Sequence, residues 1–516
     1  MTAALPSRAR AAAEPAALPP RASAPRLAIG LIAAAAFGLE MAVSDRYGYV
    51  RDELYFLACG QHLALGYVDQ PPMVALIARL SAIASGDSLI GLRVVPALGL
   101  AAMVLLTAAI ARELRAGRAG QVMAGLSAAC CAEYVAAMHE LTTTMPDFVF
   151  WAATLLLVTR LVASGDPRWW VPAGLCAGLA GEAKWNIAFL IAALIAGLLA
   201  TGARRLLRSR YLAVGGLIAA AIAAPDLIWQ AAHGWPALAV FRALQGQAWH
   251  NRATYWPAQV LFTGVALTPL WVAGLAWTLR SEAGRRFRPV GLGCGIAIAL
   301  QFALGGKPYY AGGAYAFLLA AGCVPFGRWL ASQRRAGRAG RAPRPLLAGA
   351  VLVASAAIML PAALPVLPAG ALRAVPLQKI NYDLGEEIGW PREVALVARE
   401  YRALPSGLRR RTTILAGNYG EAGAIDRLGP ALGLPQAYSG ANNFWLWGPP
   451  PAPDTAAIAV NGYLPLLRRY FARVRLVAVF RNGLGVSDDE QGVPLYLATG
   501  LRVPWPRAWP AFRDYS

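Results

Sequence analysis

The stretch "GYVRDELYFLACGQHLALGYVDQPP", Gly48 to Pro72, decides how this chain is read. It follows directly on the first long apolar run. Acidic residues are scarce, 27 Asp+Glu among 516 residues. Yet Asp45, Asp52, Glu53 and Asp69 crowd into and beside this one segment, among Tyr47, Tyr49, Tyr55, Phe56 and Tyr67.

Around it the chain is 57% hydrophobic and 15% charged, with mean hydropathy +0.46. That composition excludes a soluble globule. Apolar runs of roughly 20 residues read as membrane-spanning helices. Eleven are expected, near 27–44, 89–110, 120–138, 147–163, 169–181, 185–201, 211–229, 257–279, 289–304, 311–327 and 345–367. The net charge of +21 does not point to nucleic acid, because of where it lies. Arginines cluster before the first span, at 112–118, 160–168, 204–210 and 280–288, and in the last loop from Arg328 through Arg338 and Arg341 to Arg344. With alternating spans these all fall on one side, which predicts a cytoplasmic N-terminus; the basic residues also suit anionic lipid. The Ala/Pro/Arg-rich residues 1–26 read as disordered. They are not expected to be a cleaved signal, since no small-residue cleavage site follows a short apolar core. The six cysteines, five of them in or beside spans, read as packing residues rather than a disulfide framework.

Residues 27–370 therefore form the membrane part, with a long outer loop at 45–88. Within that loop 52–65 and 71–85 have helical spacing. The other outer loops are short and polar: "HELTTTMP" at 139–146, "GEAK" at 181–184 and "GGKPYY" at 305–310. The longer loop 230–256 is aromatic and reads as an interfacial belt or as part of a lipid entrance. From 371 to 516 the character changes. "TTILAG", "TAAIAV", "RLVAVF" and "PLYLAT" read as strands, and 391–403, 420–428 and 463–472 as helices, giving a soluble α/β domain beyond the last span.

Ionisable groups at membrane level are costly and point to function. Asp52 and Glu53 open a helical stretch, where the helix dipole favours the charged carboxylate; an ordinary helix-start role is the plain alternative. Asp147 opens the fourth span at the same level and is a candidate partner for a catalytic base. Of the 48 Lys+Arg only Lys184, Lys307 and Lys379 are lysines, and the first two sit in short outer turns. A compact ammonium suits a phosphate, with Arg51, Tyr309 and Tyr310 as further donors; snorkelling at the interface is the alternative. Tyr55, Asp69, His139 and Glu140 are candidates for the acceptor side. His62, His139, His233 and His250 show no zinc-helix spacing, so no metal or other cofactor is expected. A divalent cation held by His139 and Glu140 with Asp52 or Asp69 is the alternative.

These motifs resemble the polyprenyl-phosphate-sugar glycosyltransferases of glycosyltransferase family 39, which include protein O-mannosyltransferases and lipid A aminoarabinose transferases of the GT-C fold. The resemblance rests on "RDELYFLACGQHLALGYVDQPP", "TTTMPDFVFWAATLLL" and "GGKPYYAGGAYAFLLAAG", and covers about residues 30–330. It implies an α-helical polytopic GT-C protein of a bacterial inner membrane, with its C-terminal domain in the periplasm. It implies inverting transfer of a sugar from a polyprenyl-phosphate donor to a glycolipid or glycan acceptor such as lipid A, with Asp52 as general base. A protein O-mannosyltransferase-like enzyme and a lipid-linked sugar flippase are the rival expectations. The aminoarabinose transferases usually carry a Lys before the Pro-Pro; here Asp69-Gln70 stands there, so the resemblance does not carry the acceptor.

Overall fold

The computed structural model of the chain describes residues 20–335, 344–462 and 464–515. The N-terminal stretch through residue 19, and Arg338 and Arg341 of the last basic loop, lie outside the described residues.

Each of the eleven apolar segments is helical. Among the described residues seven helices are long and apolar enough to cross a membrane: Arg26–Val43, Leu89–Glu113, Thr144–Ser164, Arg210–Ala232, Arg285–Leu304, Pro308–Trp329 and Leu346–Ala363. The expected span 257–279 is two helices, Ala248–Thr263 and Thr268–Arg280, meeting at 103°. Gly264, with φ +95°, takes the turn that the following Pro269 cannot continue. The remaining three are shorter. Segment 120–138 breaks at Cys130–Cys131 into Arg118–Ala129 and Ala132–Ala137, and Trp170–Gly181 and Ile187–Leu199 have 12 and 13 residues. Of the eleven expected spans, seven, or eight with the bent pair, are thus long and apolar enough to cross on their own among the described residues. Helices sheltered by their neighbours need not match the whole hydrocarbon thickness, which takes about 20 residues.

Small residues let these helices approach closely. A Cβ on Gly174 of Trp170–Gly181 would lie 2.1 Å from the carbonyl oxygen of Gly215 in Arg210–Ala232. A Cβ on Gly274 would lie 2.0 Å from that of Leu318. The six cysteines are free.

Two helices follow the first span, Arg51–Gln61 and Met73–Ser85, close to the ranges read from the sequence. The C-terminal domain holds a five-stranded mixed sheet of β1 (Thr412–Ala416), β2 (Ala437–Ser439), β3 (Ala456–Val460), β4 (Phe471–Val479) and β5 (Pro494–Leu501), in the order β2-β1-β3-β5-β4. The β1–β2 and β1–β3 pairs are parallel; β3–β5 and β4–β5 are antiparallel. β1 and β3 are buried along their whole length, as central strands between two covered faces should be. β2 is the strand that sequence reading missed, being only three residues long. The helices Trp390–Arg402 and Tyr419–Leu428 match the expected ones, and the second seats the sheet on the membrane part. There, Cβ atoms on Gly420 and Gly423 would lie 2.2 Å from Arg51 Cγ and 2.8 Å from the Leu54 carbonyl oxygen.

Candidate active site

The Arg51–Gln61 helix starts from extended Val50, and Glu53 closes its first turn by accepting from the Val50 amide at 3.0 Å. The same carboxylate takes the Arg93 Nε and Nη2 protons at 3.0 and 2.8 Å and the Leu141 amide at 3.1 Å. With four donors on two oxygens, the fully buried Glu53 has nothing left for a substrate. Arg93 also donates to the Ser44 and Gly48 carbonyls at 2.9 and 2.8 Å, and pairs with Glu387 at 3.5 Å. It reaches His139 Nε2 at 2.9 Å, while His139 Nδ1 lies 3.2 Å from Glu40. Burial and the Arg93 charge hold the His139 imidazole well below its usual range. It is therefore neutral, accepting at Nε2 and donating at Nδ1. Glu53 and His139, expected as catalytic and acceptor-side residues, thus belong to a buried knot around Arg93.

Asp52 is one residue before Glu53, about 100° round the helix, and is half-buried. Its Oδ1 accepts from the Tyr419 hydroxyl at 2.9 Å. Among the described residues it makes no ion pair. Its charge is felt by Asp69, Glu140, Lys184 and Asp383, so residues from four separate segments converge on it.

Two of these groups, Asp69 and Lys184, line a hollow of about 210 Å³, and Asp52 itself is not among its lining residues. Asp69, Lys184, Lys307 and Tyr310 line it, and Val240, Phe241 and Leu244 give it an apolar flank. That flank comes from Pro236–Gln245, so the aromatic stretch 230–256 is largely helical and part of it borders the hollow. Lys184 lies 4.5 Å from the Tyr310 ring centroid and 5.2 Å from that of Tyr309, and donates to Thr144 Oγ1 at 3.3 Å. Lys307 lies 5.9 Å from the Tyr309 ring. Burial lowers Lys184 to about 8, against the opposing pull of Asp147. Asp69 is open to the hollow yet deep among protein atoms. Burial and the Asp52 charge raise it to about 7, although the Tyr55 hydroxyl donates to its Oδ1 at 2.8 Å.

Asp147 is buried and does not line the hollow. It accepts from Asn186 Nδ2 at 2.8 Å. Asn186 also donates to the Tyr310 carbonyl at 2.7 Å and accepts from Gln301 at 2.6 Å. Asp147 therefore braces the two turns that carry the lysines. Arg51 turns to Glu386 (3.2 Å) and Asp489 (3.3 Å), with its guanidinium 5.9 Å from the Tyr382 and Tyr419 rings, and does not line the hollow.

The C-terminal domain contributes groups that sequence reading missed. Asp383 and Glu140 act on one another across the site. Burial and Asp52 push Asp383 up to about 7, and burial with Asp383 and Glu53 raises Glu140 well above the usual range. Asn443 Oδ1 accepts from the Val68 amide at 2.7 Å and lies 3.2 Å from the Tyr55 hydroxyl, fixing the turn that carries Asp69. One signal was visible: "NYDLGEE" places Asp383, Glu386 and Glu387 together in an acid-poor chain. Tyr419, Asn443 and Arg93 had none.

The comparisons agree with this architecture. Residues 69–229 match the family described as dolichyl-phosphate-mannose-protein mannosyltransferase. No curated protein matches the chain in sequence. The crystal structure of ArnT from Cupriavidus metallidurans bound to undecaprenyl phosphate is similar at TM-score 0.53 and 16% identity, over 92% of this chain and 98% of that one. The apo structure of the same protein gives TM-score 0.53 and 16% identity, over 90% and 97%. The resemblance read from the motifs holds, and the chain is a multi-pass membrane protein with an ArnT-like GT-C fold.

Proposed function

From that fold and that matched segment, we propose that this protein is an inverting glycosyltransferase. It moves a sugar from a polyprenyl-phosphate donor to a cell-envelope acceptor, lipid A or another glycan, on the periplasmic face of a bacterial inner membrane. The observation that carries the proposal is a carboxylate without an ion pair, Asp52, whose charge reaches Asp69 and Lys184 in the lining of a hollow that also holds Lys307 and an apolar flank.

Inversion by direct displacement needs a base at the incoming hydroxyl and charge stabilisation at the departing phosphate. Asp52 serves as the base, oriented by Tyr419. Lys184 and Lys307, with Tyr309 and Tyr310, receive the phosphate, and Val240, Phe241 and Leu244 receive the first prenyl units. A lipid monophosphate gains less charge on leaving than a diphosphate, so two ammonium groups and two phenols are enough for the transfer step and no cofactor is assigned to it. Asp69, Tyr55 and Glu140 border the acceptor side. The matched mannosyltransferase family favours one second reading, transfer to a protein hydroxyl. A flippase fits less well, because the charged groups gather at one end of the helices rather than along a path through them.

The test compares envelope glycolipids and glycoproteins by mass spectrometry in cells with the gene, without it, and with Asp52→Asn. A sugar-sized mass lost in both altered strains is expected. Retention of that mass with normally inserted Asp52→Asn removes Asp52 as base; no changed mass in either strain removes the transferase reading.

A further inference from the structure

A second group of ionisable side chains lies in the C-terminal domain, behind Tyr419. Glu393 of Trp390–Arg402, Glu421 of Tyr419–Leu428 and Glu490 of the turn before β5 are all buried, at 2%, 1% and 3% exposure. Each offers a carboxylate oxygen, and these oxygens lie within 4.8 Å of one another. The way their hydrogen bonds are spent is the telling observation. Glu421 Oε2 accepts from the Gly417 and Asn418 amides at 2.8 and 3.2 Å, leaving Oε1 without a partner. Glu490 Oε1 accepts from Asn418 Nδ2 at 3.1 Å, leaving Oε2 without one. Glu393 has a partner on neither oxygen. Four buried acceptor atoms of this cluster therefore have no donor. The nearby cation, Arg51, is already paired with Glu386 and Asp489.

A buried carboxylate with no donor is costly, and three together repel. We propose that Glu393, Glu421 and Glu490 form a binding site for a divalent cation of the calcium type. Hard cations take carboxylate oxygens, and oxygens that lie within 4.8 Å of one another can be spanned by two calcium–oxygen bonds of roughly 2.4 Å. Magnesium, at roughly 2.1 Å and with strict octahedral demands, suits a dedicated all-protein cage less well. The position gives the ion a task. Glu421 caps the helix whose first residue, Tyr419, holds Asp52, and Asn418 bridges Glu421 and Glu490. An ion here ties three segments of the C-terminal domain together directly behind the Asp52–Tyr419 contact, without touching a reacting atom. The competing state is one proton shared between Glu421 and Glu490, which are close enough to hydrogen-bond.

The experiment uses the full chain in detergent micelles, stripped with chelator, with calcium chloride as the probe and magnesium chloride as the competitor. Thermal unfolding and calorimetric titration are the readouts, so the outcome does not depend on the transferase reading. The wild type is expected to bind calcium with a dissociation constant at or below roughly 10⁻³ M, the weak end of extracellular calcium modules, and to melt higher when loaded. Glu393→Gln is expected to bind at least tenfold more weakly. Without calcium it should melt no lower than the stripped wild type, since it relieves repulsion and breaks no hydrogen bond. Three results overturn the site: no calcium shift in the wild type, a shift of equal size in Glu393→Gln, or a melting temperature that follows pH but not calcium. A response to magnesium alone overturns the calcium assignment.

Discussion

Two neighbours on one helix, Asp52 and Glu53, sit in opposite kinds of surroundings. Glu53 belongs to the Arg93 knot, where four donors saturate one carboxylate and a guanidinium reaches three segments of chain. Asp52 accepts from Tyr419 instead, and its charge acts on Asp69 and Lys184, which line a hollow whose charged groups lie against phenols rather than matched ions. The knot fixes where the carboxylate stands; the hollow keeps it available. A charge that is fully partnered stabilises a position, and one that is underpartnered can take a proton from something else.

Substitutions on the two sides should separate cleanly. The largest effect expected is on transfer: Asp52→Asn should lower the rate by about 10²–10⁴-fold, the usual range for a general base, with the melting temperature almost unchanged. A matching loss of folded protein would instead place Asp52 in the knot. Arg93→Leu should do the reverse, leaving Glu53 and Glu387 buried without their cation at a cost of about 3–5 kcal/mol, read as a lower melting temperature in detergent. A shift under about 1 kcal/mol would show that the knot does not fix the loop. Lys307→Met should weaken use of a polyprenyl-phosphate donor by about 10²-fold or more, the scale of one lost charge-stabilising donor, seen in donor-saturation kinetics; unchanged kinetics would make the lysine an interfacial anchor. The smallest effect is expected for Tyr419→Phe, which removes one hydrogen bond of about 1 kcal/mol and should lower the rate several-fold without changing the donor requirement.

Acidity gives another way to sharpen the contrast. Asp69 and Asp383, each raised from 3.8 to about 7, keep their protons in the folded protein at pH values where the unfolded chain has lost them. Their contribution to stability is complete below the unfolded value and is lost as pH rises through about 7. Melting temperatures measured from pH 5 to 8 should fall, and Asp69→Asn should flatten that slope. An unaltered slope would mean that Asp69 does not titrate in this range.

Much of this was legible from the chain. Hydropathy located the eleven apolar segments, all of them helical, since each must bury a run of side chains, but it read the helix Pro236–Gln245 as loop. It could not show that Gly264 bends one segment or that shorter helices hide behind longer ones, because those outcomes depend on neighbours. The acidic loop and the two outer-turn lysines were visible because each is rare in this composition. The division of labour between Asp52 and Glu53 was not, since adjacent helical residues point about 100° apart and only the fold says which side is filled. Arg93 was hidden inside an apolar run, and Asp383, Tyr419 and Asn443 reach the site from more than 300 residues away in sequence.

The glycine face of Tyr419–Leu428 bears on how such a protein can diversify. At Gly420 and Gly423 not even a methyl group fits against the helix of Asp52, so drift there would tilt the base itself. The opposite margin of the sheet is under no such restraint. β4 is an edge strand whose residues are mostly exposed, guarded against stray pairing by Arg473, Arg475 and a bulge near Leu476. Substitutions can accumulate along that margin without moving the Asp52 helix.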